Sequence, residues 1–170
     1  MSRVTSVELD EEDVSYVDSL MRDSRIRSLK EFVEKCVRFG RQYTLDRWLP
    51  GLFYVGPLRV VMMPHRALSI ILERVREEDY EDVGRELGEI SKSFALFHYQ
   101  QDTTENLDAG IQIMSEVGLG QFIMPNKTNI QVISPALPFE MMKAYVETVL
   151  DLKLEPVKMK IDVHLFKISQ

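Results

Sequence analysis

Cysteine, histidine and long apolar runs are all scarce in this chain of 170 residues. The single cysteine, Cys36, excludes an intrachain disulfide. The sequence has no Cys-x-x-Cys, no His-x-x-x-His, no Gly-x-Ser-x-Gly and no Gly-x-x-x-x-Gly-Lys-Ser/Thr phosphate loop. Because the sequence contains no recognisable catalytic nucleophile motif, metal-ligand set or phosphate loop, we expect a protein that is not an enzyme, with no cofactor and no metal site.

Membrane-spanning segments are also missing from the sequence pattern. No apolar run reaches the roughly 18 residues of a transmembrane helix, and the first residues lack the apolar stretch of a signal peptide. Hydrophobic content of 45% and charged content of 28% are those of an ordinary globular protein. These features predict a cytoplasmic protein without a membrane partner.

The first helices of the chain carry clear start signals. Thr5–Leu9 alternates between polar and apolar residues, which is typical of a half-buried strand. Asp10, with Asp13 three residues later, then predicts the start of a helix that runs to about residue 22. Ser28 and Glu31 form a capping box for a second helix. The apolar face of that helix comprises Phe32, Val33, Cys36, Val37 and Phe39, so Cys36 is predicted to be ordinary core.

A strand followed by two helices cannot fold alone, because the strand has no hydrogen-bonding partner and the core is too small. A twofold dimer that pairs two such strands solves both problems. Leu9-Asp10-Glu11-Glu12 entering the first helix, and Ser28-x-x-Glu31-Phe32-Val33 opening the second, resemble the ribbon-helix-helix transcriptional regulators. The turn at residues 23–27 lacks the glycine often found in that family.

The resemblance implies a homodimeric DNA-binding domain over residues 1–45. In that family the outward strand side chains read bases, and the start of the second helix holds a phosphate. Carried over to this sequence, the outward strand side chains are Val4, Ser6 and Glu8, and Arg3 lies at the end of the strand, available for a phosphate. The phosphate group at the second helix is Arg27, Ser28 and Lys30. The partner implied is double-stranded DNA.

Net charge opposes that interpretation. The chain carries −6 overall, and residues 1–50 hold nine Lys/Arg against ten Asp/Glu. DNA affinity comes largely from neutralising phosphates, so a basic domain is the usual signature of a DNA-binding protein. We therefore keep two hypotheses: a dimeric DNA-binding regulator, and a dimeric small-molecule-binding or scaffold protein that uses the N-terminal unit only to dimerise.

Residues 46–170 predict an α+β domain with the order β-α-α-α-β-β-α-β. The sequence pattern places one long strand or two short ones at 52–63, helices at about 65–77, 79–97 and 104–117, a hairpin of strands at 120–124 and 129–134, a helix at 138–150 and a last strand at 157–165. Ile113-Met-Ser-Glu-Val-Gly-Leu-Gly120, running into paired strands and a helix, resembles the V4R/TRAPP-type small-molecule-binding fold, although the metal-ligand cysteines are absent. The resemblance implies a sensor or oligomerisation domain that takes a small apolar ligand. Its methionines and phenylalanines suit either an adaptable pocket or a plain core.

Three histidines are scattered over separate predicted elements: His65, His98 and His164. Nickel-responsive regulators with the same N-terminal type use a His/Cys cluster, but the spacing here does not suit one. The last predicted strand, Val157–Leu165, alternates with its apolar residues at odd numbers. This parity predicts that His164 lies on the polar side of the strand, where it is solvated or hydrogen-bonded.

Overall fold

A computed structural model of the chain describes residues 6–160 and 162–169, with all their side chains except those of His98, Lys158 and Met159. The chain is mixed α+β and divides into two compact units, one ending at Val61 and one beginning at Met62. The sequence suggests a boundary after residue 45, which falls inside the first of these units.

The first unit consists of two helices and a small hairpin. A 3-10 turn, Leu45–Arg47, connects the helices to the hairpin. The elements are α1 (Glu11–Arg22), α2 (Leu29–Gln42), β1 (Phe53–Val55) and β2 (Leu58–Val60).

Both predicted helix starts are present. The Asp10 carboxylate accepts a hydrogen bond from the Asp13 amide at 2.8 Å, and the Ser28 hydroxyl accepts one from the Glu31 amide at 3.2 Å. The return bond of the capping box differs in detail, because Glu31 accepts from the amide of Arg27 instead of that of Ser28. These side chains satisfy amides that the first helical turn leaves without acceptors.

The predicted strand at Thr5–Leu9 is absent as a paired element. Residues 6–10 form no strand in the described chain, and Thr5 lies outside the described residues. A ribbon strand needs a second chain to supply its hydrogen bonds. The ribbon therefore stays a prediction about the dimer.

The turn between α1 and α2 places a serine where glycine is expected. Ser24 has a φ of 56°, and the amides of Ser24 and Arg25 bond the carbonyls of Met21 and Leu20 at 3.0 and 2.9 Å. This is the left-handed helix ending that usually employs glycine, because a Cβ is disfavoured there.

Ser24→Gly is expected to stabilise the first unit by about 1 kcal/mol, because glycine adopts this φ without a steric cost. Urea unfolding followed by the fluorescence of Trp48, the only tryptophan, measures the change. The control Ser15→Gly, in the middle of α1, should instead destabilise by about 0.5 kcal/mol through the lower helix propensity of glycine. Equal effects at the two positions would show that the φ of Ser24 carries no strain.

The second unit is a four-stranded antiparallel sheet with four helices. The sheet order is β3-β4-β6-β5, so both edge positions are taken by hairpin strands. The elements are α3 (His65–Leu72), α4 (Tyr80–Phe94), α5 (Leu107–Glu116), β3 (Gln121–Asn126), β4 (Asn129–Ile133), α6 (Phe139–Leu150), β5 (Leu154–Lys160) and β6 (Val163–Ile168).

One core holds this unit together, and α6 lies at its centre. Seven of the twelve residues of α6 are buried, and α6 is in extensive contact with α4. Tyr145 of α6 is fully buried, and its hydroxyl lies 3.1 Å from that of Ser91 on α4. Burial raises the pKa of Tyr145 to about 12. The hydroxyl is therefore a neutral hydrogen-bonding group that ties α4 to α6.

Two predicted strand regions form hairpins. The stretch 52–63, predicted as one long strand or two short ones, forms β1 and β2 of the first unit, with Phe53 opposite Val60. The single strand predicted at Val157–Leu165 is β5 and β6, joined where Lys160 pairs with Val163. The order β-α-α-α-β-β-α-β is therefore wrong at its last strand, which is two strands, and its first strand region belongs to the first unit as two short strands. The three helices, the central hairpin and α6 are where the sequence predicts them.

Candidate nucleic-acid interface

The DNA-contacting residues predicted from the sequence fall into two groups. Arg3 and Val4 lie outside the described residues, while Ser6 and Glu8 are exposed in the segment before α1. The second group surrounds the start of α2, where Arg27 and Lys30 are exposed and Ser28 is half-buried. Arg27, Ser28 and Lys30 lie together at the start of α2.

The amino end of α2 is partly occupied by its own side chains. Glu31 accepts from the Arg27 amide at 2.8 Å and lies 2.8 Å from the Lys35 ammonium. The Lys35 hydrogen bond, followed by that of the Arg27 amide, lowers the pKa of Glu31, so the carboxylate is ionised at neutral pH. The amides of Leu29 and Lys30 have no intrahelical acceptor and point along the helix axis, where an anion would bind.

Charge is unevenly distributed along the first unit. Residues 6–34 carry nine Asp/Glu against four Lys/Arg, for a net charge of −5. Residues 35–61 carry one carboxylate, Asp46, and five cations, for a net charge of +4. A phosphate approaching the start of α2 therefore meets Arg25, Arg27 and Lys30 as well as several carboxylates. Within a Debye length of about 10 Å at 0.1 M salt these charges act together.

The apolar face of α2 is mostly uncovered in the single chain. No residue of α2 is buried, Val37 is 66% exposed and Phe39 is 47% exposed. An open, mainly apolar groove of about 350 Å³ follows this face and is lined by Lys35, Cys36, Phe39 and Leu45. The expectation that Cys36 is core is wrong for the single chain, because its side chain is exposed. Only Phe32 and Val33 of the predicted face are half-buried.

The core of the first unit is correspondingly small. It consists of three buried residues, Val17, Leu20 and Ile26, with Met21 and Phe32 packed against them. The ring of Tyr16 contacts that of Phe32 edge-on with the centroids 6.1 Å apart. The two helices therefore pack against each other around these residues, and the rest of the apolar face of α2 stays uncovered.

The hairpin of the first unit is fixed by local hydrogen bonds. The indole of Trp48 donates to the carbonyls of Tyr43 and Tyr54, and the Arg47 guanidinium donates to the Gly56 carbonyl while lying over the Tyr54 ring. The boundary predicted after residue 45 puts Arg47, Trp48 and Tyr54 in the second domain and Tyr43 in the first. The signal that could have placed them is Trp48, whose single N–H requires an acceptor when it is half-buried.

The apolar residues considered for a ligand pocket in the second unit are mostly ordinary core. Met114, Met141, Met142 and Phe122 are buried within one cluster. The exposed members are Met62, Met63 and Phe97. A groove of about 360 Å³ between α4 and α6 is lined by charges of both signs, among them Arg85, Lys92 and Glu147, which does not suit a small apolar ligand.

Metal ligands do not gather in the described part of the chain, where no three His, Cys, Asp or Glu side chains are placed to hold an ion. His65 is exposed at the start of α3. His164 is 5% exposed and its Nδ1 has no hydrogen-bond partner among the described residues, so the prediction of a solvated or hydrogen-bonded histidine on the polar side is wrong. Burial lowers the pKa of His164.

None of the helices among residues 6–160 and 162–169 is long and apolar enough to cross a membrane. Comparison of the chain with protein-family models, with curated proteins and with solved structures finds no match.

Proposed function

We propose that this protein is a dimeric, DNA-binding transcriptional regulator whose second unit is a sensor or oligomerisation domain. The observation that carries the proposal is the pair of capped helices whose second member presents an uncovered apolar face. A second copy of the chain would cover that face and would supply the strand partner that the residues before α1 lack.

The apolar face of α2 supports the dimer on physical grounds. In the single chain Val37 is 66% exposed, Phe39 47% and Leu29 44%, so each of these large hydrophobic side chains leaves much of its area uncovered. Burial of one such side chain contributes about 1.5–3 kcal/mol. The first unit has three buried core residues among those described, so covering the exposed part of this face would add to its stability.

The start of α2 supports an anion-binding role. The unpaired first-turn amides and the exposed Arg27 and Lys30 suit a DNA phosphate, since a helix amino end carries a partial positive charge. The ribbon would then lie in the major groove between two such phosphate contacts, one from each protomer. Because Val7 and Leu9 would point toward the helices of the dimer, Ser6 and Glu8 would point into the groove.

A second candidate is a dimerisation module that binds no DNA. It is favoured by the net charge of −5 over residues 6–34 and by Glu31, whose ionised carboxylate occupies part of the proposed phosphate site. A carboxylate such as Glu8 can accept a hydrogen bond from cytosine N4, but it also meets the field of the neighbouring phosphates. Affinity measured against salt separates the two candidates.

Full-length wild-type protein is expected to bind genomic fragments with an affinity that falls steeply as salt rises. Lys30→Ala should weaken binding on all fragments alike and reduce the slope of log K against log salt by about 1 per protomer, because one phosphate contact is lost. Lys127→Ala, which removes an exposed lysine in the β3–β4 turn, is the matched control and should leave the slope unchanged.

Glu8→Gln tests the reading face. It should leave the stability nearly unchanged, because Glu8 is exposed, and it should raise non-specific affinity by removing a carboxylate from the groove. Loss of tight, sequence-specific binding in Glu8→Gln would instead identify Glu8 as a base reader. If wild type binds no fragment even at low salt, the dimerisation module is the correct function.

A further inference from the structure

The imidazole of His164 is buried inside the second unit. His164 lies on β6 opposite Val132 of β4 and Met159 of β5, and it shares the inward face of β6 with the fully buried Phe166. The inward face of the sheet packs on α6, so the ring lies between the sheet and that helix.

The surroundings of the ring are apolar. Its centroid is 5.0 Å from that of Phe139 and 6.2 Å from that of Phe166, both edge-on. Its buried Nδ1 has no hydrogen-bond partner among the described residues. A buried polar atom without a partner is uncommon in native proteins and costs free energy even when the ring is neutral.

Among the described residues no carboxylate pairs with the ring, and Asp162, two residues earlier in the chain, is exposed in the turn before β6. β4 has no charged residue, and Glu155, Lys160 and Lys167 lie on the opposite face of the sheet, where Glu155 pairs with Lys167 and Lys160 with Val163. On α6, Glu140 is exposed and Glu147 is 3.2 Å from Lys143. Phe139 is the first residue of α6, so the positive end of the helix dipole is directed at this region.

We propose that His164 makes the second unit sensitive to acid, because protonation of its ring loosens the packing of α6 on the sheet. An imidazolium at this position would be a largely buried cation without an anionic partner among the described residues, and admitting water beside β6 would relieve its cost. The inference uses the second unit alone and does not depend on DNA binding.

The direction of the pH effect follows from the burial of the ring. Burial lowers the pKa of His164 in the folded chain, while in the unfolded chain the imidazole has its ordinary pKa of about 6.5. Stability is therefore complete above pH 6.5 and is lost as the pH falls below it, because the unfolded state then binds the extra proton. One such group changes the unfolding equilibrium by at most about tenfold per pH unit.

Hydrogen exchange of the whole chain at pH 7.5, 6.5 and 5.5, corrected for intrinsic exchange rates, tests whether acid loosens the packing of α6. In wild type, protection of α6 and β6 should fall by up to about tenfold between pH 6.5 and 5.5. His164→Gln and His164→Phe should abolish this extra pH dependence. The control His65→Gln removes an exposed imidazole at the start of α3 and should retain it.

An NMR titration of the histidine Cε1–H signals in wild type keeps the test decisive if the His164 variants do not fold. The His164 signal should stay that of the neutral ring until α6 loses protection. Protonation near pH 6.5 with protection of α6 unchanged would overturn the proposal. So would folded His164→Gln and His164→Phe proteins that lose as much protection as wild type on acidification.

Discussion

Gly84→Ala is expected to destabilise the second unit by about 2–3 kcal/mol, which is among the largest effects available to a single added methyl group here. A Cβ at position 84 would overlap the carbonyl oxygen of Met141 and come within 2.9 Å of the Cβ of Ala144. The carbonyl belongs to the backbone of α6 and cannot rotate away. Overpacking typically costs 1–3 kcal/mol and sometimes more, and the better helix propensity of alanine offsets less than 1 kcal/mol of that.

Gly88 repeats the same contact one turn later. A Cβ there would lie 2.6 Å from the Cβ of Thr148, whose hydroxyl is held by the carbonyl of Ala144 at 2.8 Å. Gly84 and Gly88 therefore form the surface of α4 against which α6 packs. The close approach of the two helices also brings Ser91 to within 3.1 Å of Tyr145.

Gly40→Ala is the matched control for Gly84→Ala. Gly40 is also helical, but the nearest atom to its added Cβ, on Leu45, is 3.7 Å away. The substitution should therefore stabilise the first unit by about 0.5–1 kcal/mol through helix propensity alone. Urea unfolding followed by circular dichroism, with Trp48 fluorescence reporting the first unit separately, measures both changes. A neutral or stabilising Gly84→Ala would mean that α4 and α6 do not pack this closely.

The sequence predicts the elements of the second unit better than their pairing. Helix starts and stops depend on nearby residues, so α4, α5 and α6 and the β3–β4 hairpin could be placed from local signals. The importance of Gly84 and Gly88 could not be predicted in this way, because it depends on α6, which lies more than 50 residues further along the chain. Glycine four residues apart in a helix indicates close packing only once the facing helix is known.

The position of His164 shows how a parity error arises. Reading Val157–Leu165 as one strand makes the odd-numbered residues inward and His164 outward. The chain instead turns between Lys160 and Val163, and the ladder between β5 and β6 is irregular between Pro156 and Lys158. A shift of one residue exchanges the two faces of a strand. His164 and Phe166 therefore point inward on β6, although the alternation of β6 itself is regular.

The first unit shows the opposite situation, since its helices and caps follow from the sequence while its partner does not. The capping residues Asp10 and Ser28 bind within their own chain, so one chain is enough to form them. Val37 and Phe39 follow a helical apolar pattern, yet a single chain leaves them exposed. A pattern of this kind indicates that a face will be buried, but it does not state which surface buries it.

Val37→Glu is expected to dissociate the proposed dimer, with the dissociation constant rising at least about 100-fold. A carboxylate buried in an interface without a partner costs several kcal/mol, and about 3 kcal/mol corresponds to that factor. Because the core of the separated first unit is only Val17, Leu20 and Ile26 with two flanking residues, we expect that unit to lose its helices as it dissociates. Sedimentation velocity over a concentration series, with Trp48 fluorescence recorded on the same samples, measures both effects.

Arg38→Glu provides the control for Val37→Glu, because Arg38 is the next residue of α2 and points about 100° away around the helix. It changes the charge by two units, whereas Val37→Glu changes it by one. If burial of the apolar face drives association, Val37→Glu dissociates the dimer and Arg38→Glu does not. If long-range charge governs association, Arg38→Glu has the larger effect. A wild-type protein that sediments as a folded monomer at tens of micromolar would exclude both the dimer and the ribbon that depends on it.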